Sequence, residues 1–192
     1  MKTIGYKLEP FRIIGVKPGR LDASEDVFET LSEKSFPGKW KIIMFYPKDF
    51  TFVCPTEIVA YDKLVNDFND RDAVLLTGST DNEFCKLAWR NAHEDLKKTN
   101  SWSFADQLRQ NSKYWTQDEY VPTGLAEQLG ILNDDGVALR ATFIVDPDNI
   151  VQHVTVNNLN VGRNPEEALR ILDALQTGEL CACNRPLGGD TL

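Results

Sequence analysis

The chain has 192 residues, 42% of them hydrophobic and 26% charged, which suits one globular domain able to bury a core without metals or structural disulfides. Twenty-nine acidic against 21 basic residues leave a formal charge of -8; this opposes nucleic acid and anionic membrane as partners, and no basic patch overrides it. Residues 1–10 lack the apolar stretch of a secretory signal, and no run nears the roughly 18 apolar residues of a membrane span, so the expected address is the cytoplasm.

Residues 40–46 form a nearly continuous apolar run closed by Pro47, the mark of a buried strand. The spacing of Ile58, Tyr61, Leu64, Val65 and Phe68 then predicts one helical face, with Pro55 suited to the first turn. A second buried strand is expected at residues 73–79. After it, Thr80-Asp81-Asn82-Glu83 fits a capping box opening a helix that carries Phe84, Leu87, Ala88 and His93. Residues 141–145 and 150–156, joined by Asp146-Pro147-Asp148-Asn149, read as a hairpin. Asn164 and Pro165 start a last helix bearing Ala168, Ile171, Leu172 and Leu175, and Gly178 ends it.

Strand, helix, strand, helix, hairpin, helix implies an α/β thioredoxin-like fold: a mixed central sheet flanked by helices. Residues 1–177 are expected to form that domain. Residues 178–192 hold three glycines, a proline and no apolar period, and are expected to be a mobile or partner-docked tail.

Four cysteines, Cys54, Cys85, Cys181 and Cys183, suggest redox or metal chemistry in a chain of this kind. Cys54 falls between a buried strand and a helix, where helix amides without partners favour an anion such as a thiolate. Thr51 can place a hydroxyl on the same side, and Pro47 can shield the sulfur while offering no competing backbone donor. Cys85, beside Phe84, is expected to be a packed thiol. His93 and His153 have no motif around them. Cys181-Ala182-Cys183 has no histidine nearby to complete a zinc set, so no metal is expected.

The pattern Pro-x-x-x-Thr-x-x-Cys, within Phe-Tyr-Pro-Lys-Asp-Phe-Thr-Phe-Val-Cys-Pro-Thr-Glu at residues 45–57, resembles the active-site signature of the peroxiredoxins. Phe-Val-Cys-Pro-Thr-Glu is similar to their typical two-cysteine branch, of the alkyl hydroperoxide reductase type. The resemblance continues through residues 87–89, 130–132, 140–146, 161–164 and 178–181, and the tail Glu-Leu-Cys-Ala-Cys-Asn is similar to the actinobacterial form.

That resemblance implies a thiol-dependent peroxidase without a bound cofactor, reducing hydrogen peroxide and organic hydroperoxides in antioxidant defence. Cys54 would attack the peroxide and become a sulfenic acid, with Arg140 holding sulfur and oxygen. Glu57 and Arg163 would orient Arg140, and Trp89 would pack nearby. Cys181 would form the disulfide with Cys54, from the partner subunit of a homodimer or within one chain, since more than 120 residues separate the two. Cys183 could pass electrons onward to a reductant, substitute for Cys181, or have no role. Implied partners are a dithiol or disulfide reductase, thioredoxin-like or a dedicated alkyl hydroperoxide reductase partner, and further subunits, possibly a ring of dimers.

A thiol–disulfide oxidoreductase on the same fold would carry Cys-x-x-Cys at the first helix, where Cys54 and Glu57 stand. A holdase chaperone is the rival from another class. The chain also departs from the family in a longer connection at 107–123, with Tyr114, Trp115, Tyr120 and Pro122. It lacks the extra C-terminal helix of easily overoxidised eukaryotic relatives, so Cys54 is expected to resist further oxidation.

Overall fold

The computed structural model describes residues 1–19, 25–107 and 124–192; the connection at 107–123 lies outside them except for Gln107. In chain order the elements are β1 (Ile13–Val16), β2 (Phe28–Leu31), β3 (Trp40–Phe45), α1 (Cys54–Asp62), α2 (Val65–Asn69), β4 (Ala73–Ser79) and α3 (Glu83–Ala92). They continue with β5 (Trp102–Ala105), α4 (Leu125–Leu129), β6 (Arg140–Val145), β7 (Val151–Asn157) and α5 (Pro165–Thr177).

The strands form one seven-stranded sheet ordered β2-β1-β5-β4-β3-β6-β7. Pairs β3–β4 and β4–β5 are parallel, as helical crossovers require, and the remaining pairs are antiparallel. The central strands are buried on both faces, which explains why they read as unbroken apolar runs. On one face Ile43, Phe45, Val74, Leu76, Phe104 and Phe143 pack against Leu125, Ala126 and Leu129 of α4. On the other, Ile42, Met44, Tyr46, Leu75 and Ile144 pack against Ile58, Tyr61, Phe68, Trp89, Leu169 and Leu172. This is the expected thioredoxin-like layout, with a further wing of β1 and β2.

Three local expectations are corrected. The helix predicted from Ile58 to Phe68 is two helices: the Leu64 amide donates to the Tyr61 carbonyl at 3.0 Å, and this tightened turn re-aims the chain so that Val65 and Phe68 still reach the core. The α3 cap is Asn82, whose side chain accepts from the Cys85 amide at 2.7 Å, not Thr80. β4 runs through Ser79, and Asp81 is engaged with Ser79 and Asp49, so the helix starts later than a box from Thr80 requires. Finally, α3 buries Lys86, Leu87, Trp89 and Arg90, while Phe84 is 65% exposed.

α5 keeps its sequence-level ends. Asn164 accepts from the Glu166 amide at 3.0 Å, and Gly178 closes the helix at φ 67°, the left-handed region where glycine pays no Cβ penalty. The tail turns back along this helix through polar ties. Arg185 is buried and meets Asp173 at 2.8 Å, and Asp173 also accepts from the Gly188 amide at 3.0 Å. No helix among the described residues is long and apolar enough to cross a membrane.

Candidate active site

Strand order assembles the site. Met44 pairs with Thr142 across antiparallel β3 and β6, so Arg140, the first residue of β6, lies beside the end of β3. From that end the chain turns through residues 47–53 into α1, whose first residue is Cys54. Val53, the cap position, contributes no side-chain bond, so the sulfur sits at the positive end of a nine-residue helix. Pro55 is the second helical residue, tolerated there because no intrahelical partner is lost.

Cys54 is 1% exposed. Arg140 Nη1 lies 3.4 Å from its sulfur and donates to Glu57 Oε2 at 2.7 Å, while Arg140 Nε donates to the Leu159 carbonyl at 2.6 Å. Glu57, one turn after Cys54, takes four bonds in all. Arg163 contributes three of them: its backbone amide and Nε reach Oε1 at 2.9 and 2.8 Å, and Nη2 reaches Oε2 at 3.0 Å. Burial pushes the Glu57 carboxyl up, but the hydrogen bonds and charge of Arg163, with the charge of Arg140, outweigh it and hold it below its ordinary value. Arg163 also donates to the Thr142 hydroxyl at 3.1 Å and the Met44 sulfur at 3.0 Å. An arginine with two fixed anchors therefore points one nitrogen at a thiol, an arrangement suited to a thiolate and a developing oxyanion.

Of the other expected residues, Pro47 is buried in the turn. Thr51 donates its hydroxyl to the Lys48 carbonyl at 3.0 Å, which leaves its lone pairs free to accept. Trp89 shares the core cluster of Cys54 and lies 6.0 Å from the Tyr46 ring and 5.8 Å from that of Phe50. The structure does not bring Cys181 to Cys54: its sulfur touches the Thr177 hydroxyl at 3.6 Å and the Ala174 carbonyl at 3.8 Å, beyond α5. Cys183 is exposed, and all four thiols are free. Cys85 is half-buried rather than packed in the core; burial, then Asp49 and Asp81, push its thiol up. His93 closes the turn after α3, accepting from the Asp95 amide at 3.2 Å.

Sequence reasoning missed the residues behind this group. Tyr61 bonds the Thr142 hydroxyl at 3.0 Å, extending the arginine network into the core. Beneath the 47–53 turn lies a buried cluster of Tyr46, Asp49, Ser79 and Lys86; a charged residue inside a helix period is ordinarily read as solvent-facing, and nothing in the period marked Lys86 otherwise. Among the described residues no set of three or more His, Cys, Asp or Glu converges as a metal would need.

Residues 16–154 match the AhpC/TSA family. The chain is 48% identical to alkyl hydroperoxide reductase C of Mycolicibacterium smegmatis over 195 aligned positions, covering 99% of this chain and 93% of that protein. The Mycobacterium tuberculosis AhpC structure superposes with a TM-score of 0.81 at 44% identity, over 95% of this chain and 97% of that one. The reduced 2-Cys peroxiredoxin of Plasmodium vivax gives 0.81 at 32% identity, over 100% and 92%. A conserved layout at such identity carries more than the fold, and with a buried thiol facing an anchored guanidinium it leads to one conclusion: the chain belongs to the AhpC/TSA family and is a thiol-dependent peroxidase of the peroxiredoxin type.

Proposed function

We propose that Cys54 is the attacking nucleophile and that the chain reduces hydrogen peroxide and organic hydroperoxides. The observation that carries this is the buried Cys54 sulfur 3.4 Å from Arg140 Nη1, on a guanidinium that Glu57 also holds. The thiolate forms an S–O bond with the terminal peroxide oxygen as the O–O bond breaks; the departing oxygen takes a proton and leaves as water or an alcohol. Arg140 stabilises charge on sulfur and oxygen, Glu57 and Arg163 orient it, Thr51 accepts a hydrogen bond from the peroxide O–H, and Pro47 and Trp89 wall the site.

Cys181 then displaces hydroxide from the Cys54 sulfenic acid, giving a disulfide and water, and a dithiol reductant restores both thiols. The reductant is a thioredoxin-like protein or a dedicated alkyl hydroperoxide reductase partner, with Cys183 as the relay to it. Cys181 comes from a second subunit. Two observations favour that: its contacts in one subunit lie at the far end of α5 from the Asn164 cap, and among the described residues β7 is the last strand of the sheet, an edge suited to pairing. A homodimer, extended to a ring of dimers, is the assembly in which residues 1–177 act as the peroxidase domain and 178–192 as the resolving tail. The cytoplasm, kept reducing, is the compartment in which such a thiol cycle runs.

The test is rapid-mixing consumption of hydrogen peroxide by wild type and Cys54→Ser. Wild type consumes it and Cys54→Ser does not; equal consumption by both would remove Cys54 from the chemistry and leave a holdase role to be measured by suppression of client aggregation.

A further inference from the structure

The turn that delivers Cys54 is tied down by a buried ion pair with no part in the chemistry so far. Asp49 and Lys86 meet at 2.8 Å with side chains 2% and 1% exposed. The same Asp49 oxygen accepts from the Tyr46 hydroxyl at 2.9 Å, and Lys86 also donates to the Ser79 hydroxyl. The Asp49 backbone amide is captured by Asp81 Oδ2 at 2.8 Å, and that oxygen takes the Ser79 hydroxyl at 2.8 Å. One residue of the turn is thus fixed through side chain and backbone to the end of β4 and to α3.

The next residue is under strain. Phe50 has φ 54°, a left-handed conformation that costs a bulky residue roughly 1–2 kcal/mol and persists only where neighbours dictate it. The residue is 56% exposed and its ring lies 5.8 Å from that of Trp89, so packing alone does not impose the conformation. The doubly held Asp49 stands one residue earlier. Thr51 follows, and three residues later comes the sulfur that must stand 3.4 Å from Arg140.

A buried ion pair is a poor way to gain stability, because the desolvation of two charges offsets most of their attraction and an apolar pair of similar volume serves as well or better. It does impose one geometry. We propose that Asp49, Asp81 and Lys86, none of which touches the peroxide, are positioning residues for the peroxide step: they hold the 47–53 turn, with Phe50 left-handed, so that Thr51 and Cys54 face the incoming peroxide. The inference rests on Cys54 being the nucleophile.

The experiment separates the two halves of the catalytic cycle with hydrogen peroxide and dithiothreitol as the substrates. The variants are Asp81→Ala, at a half-buried position, and the double substitution Asp49→Asn with Lys86→Met, which leaves no unpaired buried charge. Both are expected to lower kcat/KM for hydrogen peroxide by about tenfold or more, while kcat/KM for dithiothreitol stays within about twofold, because a misplaced sulfur loses the near-attack geometry of one step only. A peroxide constant within about twofold of wild type overturns the proposal. So does an equal fall in both constants, which marks lost folded protein. Cys54→Ser run alongside guards the premise: if it still consumes peroxide, the reading of Cys54 fails rather than the inference about the turn.

Discussion

Replacing Glu57 by Gln is the sharpest single perturbation of the site. The carboxylate is buried, with its side chain 1% exposed, and accepts two bonds on each oxygen from Arg140 and Arg163. Gln keeps the shape but removes the charge, and turns an NH2 toward guanidinium donors. Breaking a buried pair from one side costs about 3–5 kcal/mol; because Gln retains one acceptor, the lower end applies. At roughly 2–4 °C per kcal/mol for a chain of this size, Tm should fall by about 6–12 °C. Arg140 loses the anchor at 2.7 Å that aims it at Cys54, so peroxide reduction should slow by about tenfold or more while the protein remains folded at 25 °C. The linkage has a definite sign. The folded pKa of Glu57 lies below its ordinary value, so its contribution is complete above about pH 4.3 and is lost as pH falls through the lowered folded pKa. Wild type should therefore lose stability on acidification below that pH more steeply than the variant. Calorimetry across pH with stopped-flow peroxide assays measures both effects. A variant that melts within about 2 °C of wild type and reacts as fast would refute the assigned network.

Asp106 caps α4 from a distance, accepting the Leu125 and Ala126 amides at 3.0 and 2.6 Å, yet burial pushes its carboxyl up to about 6. Because the folded pKa is raised, its linkage contribution is present at low pH and is lost as pH rises through about 6. The unfolding free energy of wild type minus that of Asp106→Asn should grow by about 1 kcal/mol between pH 7.5 and 5, toward about 3 kcal/mol below pH 4; a difference constant with pH in denaturant titrations rejects the assignment. Gly78 lies opposite Phe104 in the β4–β5 register, and a Cβ there would overlap that ring. Gly78→Ala should cost about 1–3 kcal/mol by overpacking, recovered in part by Phe104→Leu. A loss under about 0.5 kcal/mol would show that the ring moves freely.

The sheet centre was legible because β3 and β4 are buried on both faces and β-strands of that kind are continuous apolar runs. Strands β1, β2 and β5 are four residues each, too short to set a period against their flanks. The α3 face misled for a physical reason. Its buried side carries Lys86 and Arg90, each satisfied by partners that no local window contains: Asp49 for one, the Lys17 and Ser101 carbonyls for the other. Cys54 was legible from its own surroundings, a strand end, a proline and a helix start. Arg140 and Arg163 were not, since they bond Glu57 from 83 and 106 residues away and only family resemblance pointed to them. The tail reads as mobile or partner-docked because its ties within the chain, Arg185 to Asp173 and Gly188 to Asp173, are polar and leave no apolar period.

The proposed cycle stands on one covalent outcome. Wild-type protein treated with one equivalent of hydrogen peroxide, digested without reduction and mapped by mass spectrometry beside a nonreducing gel, should yield the peptide of Cys54 joined to that of Cys181, in a band of twice the subunit mass. A Cys181–Cys183 bridge with Cys54 still a free thiol would contradict the account.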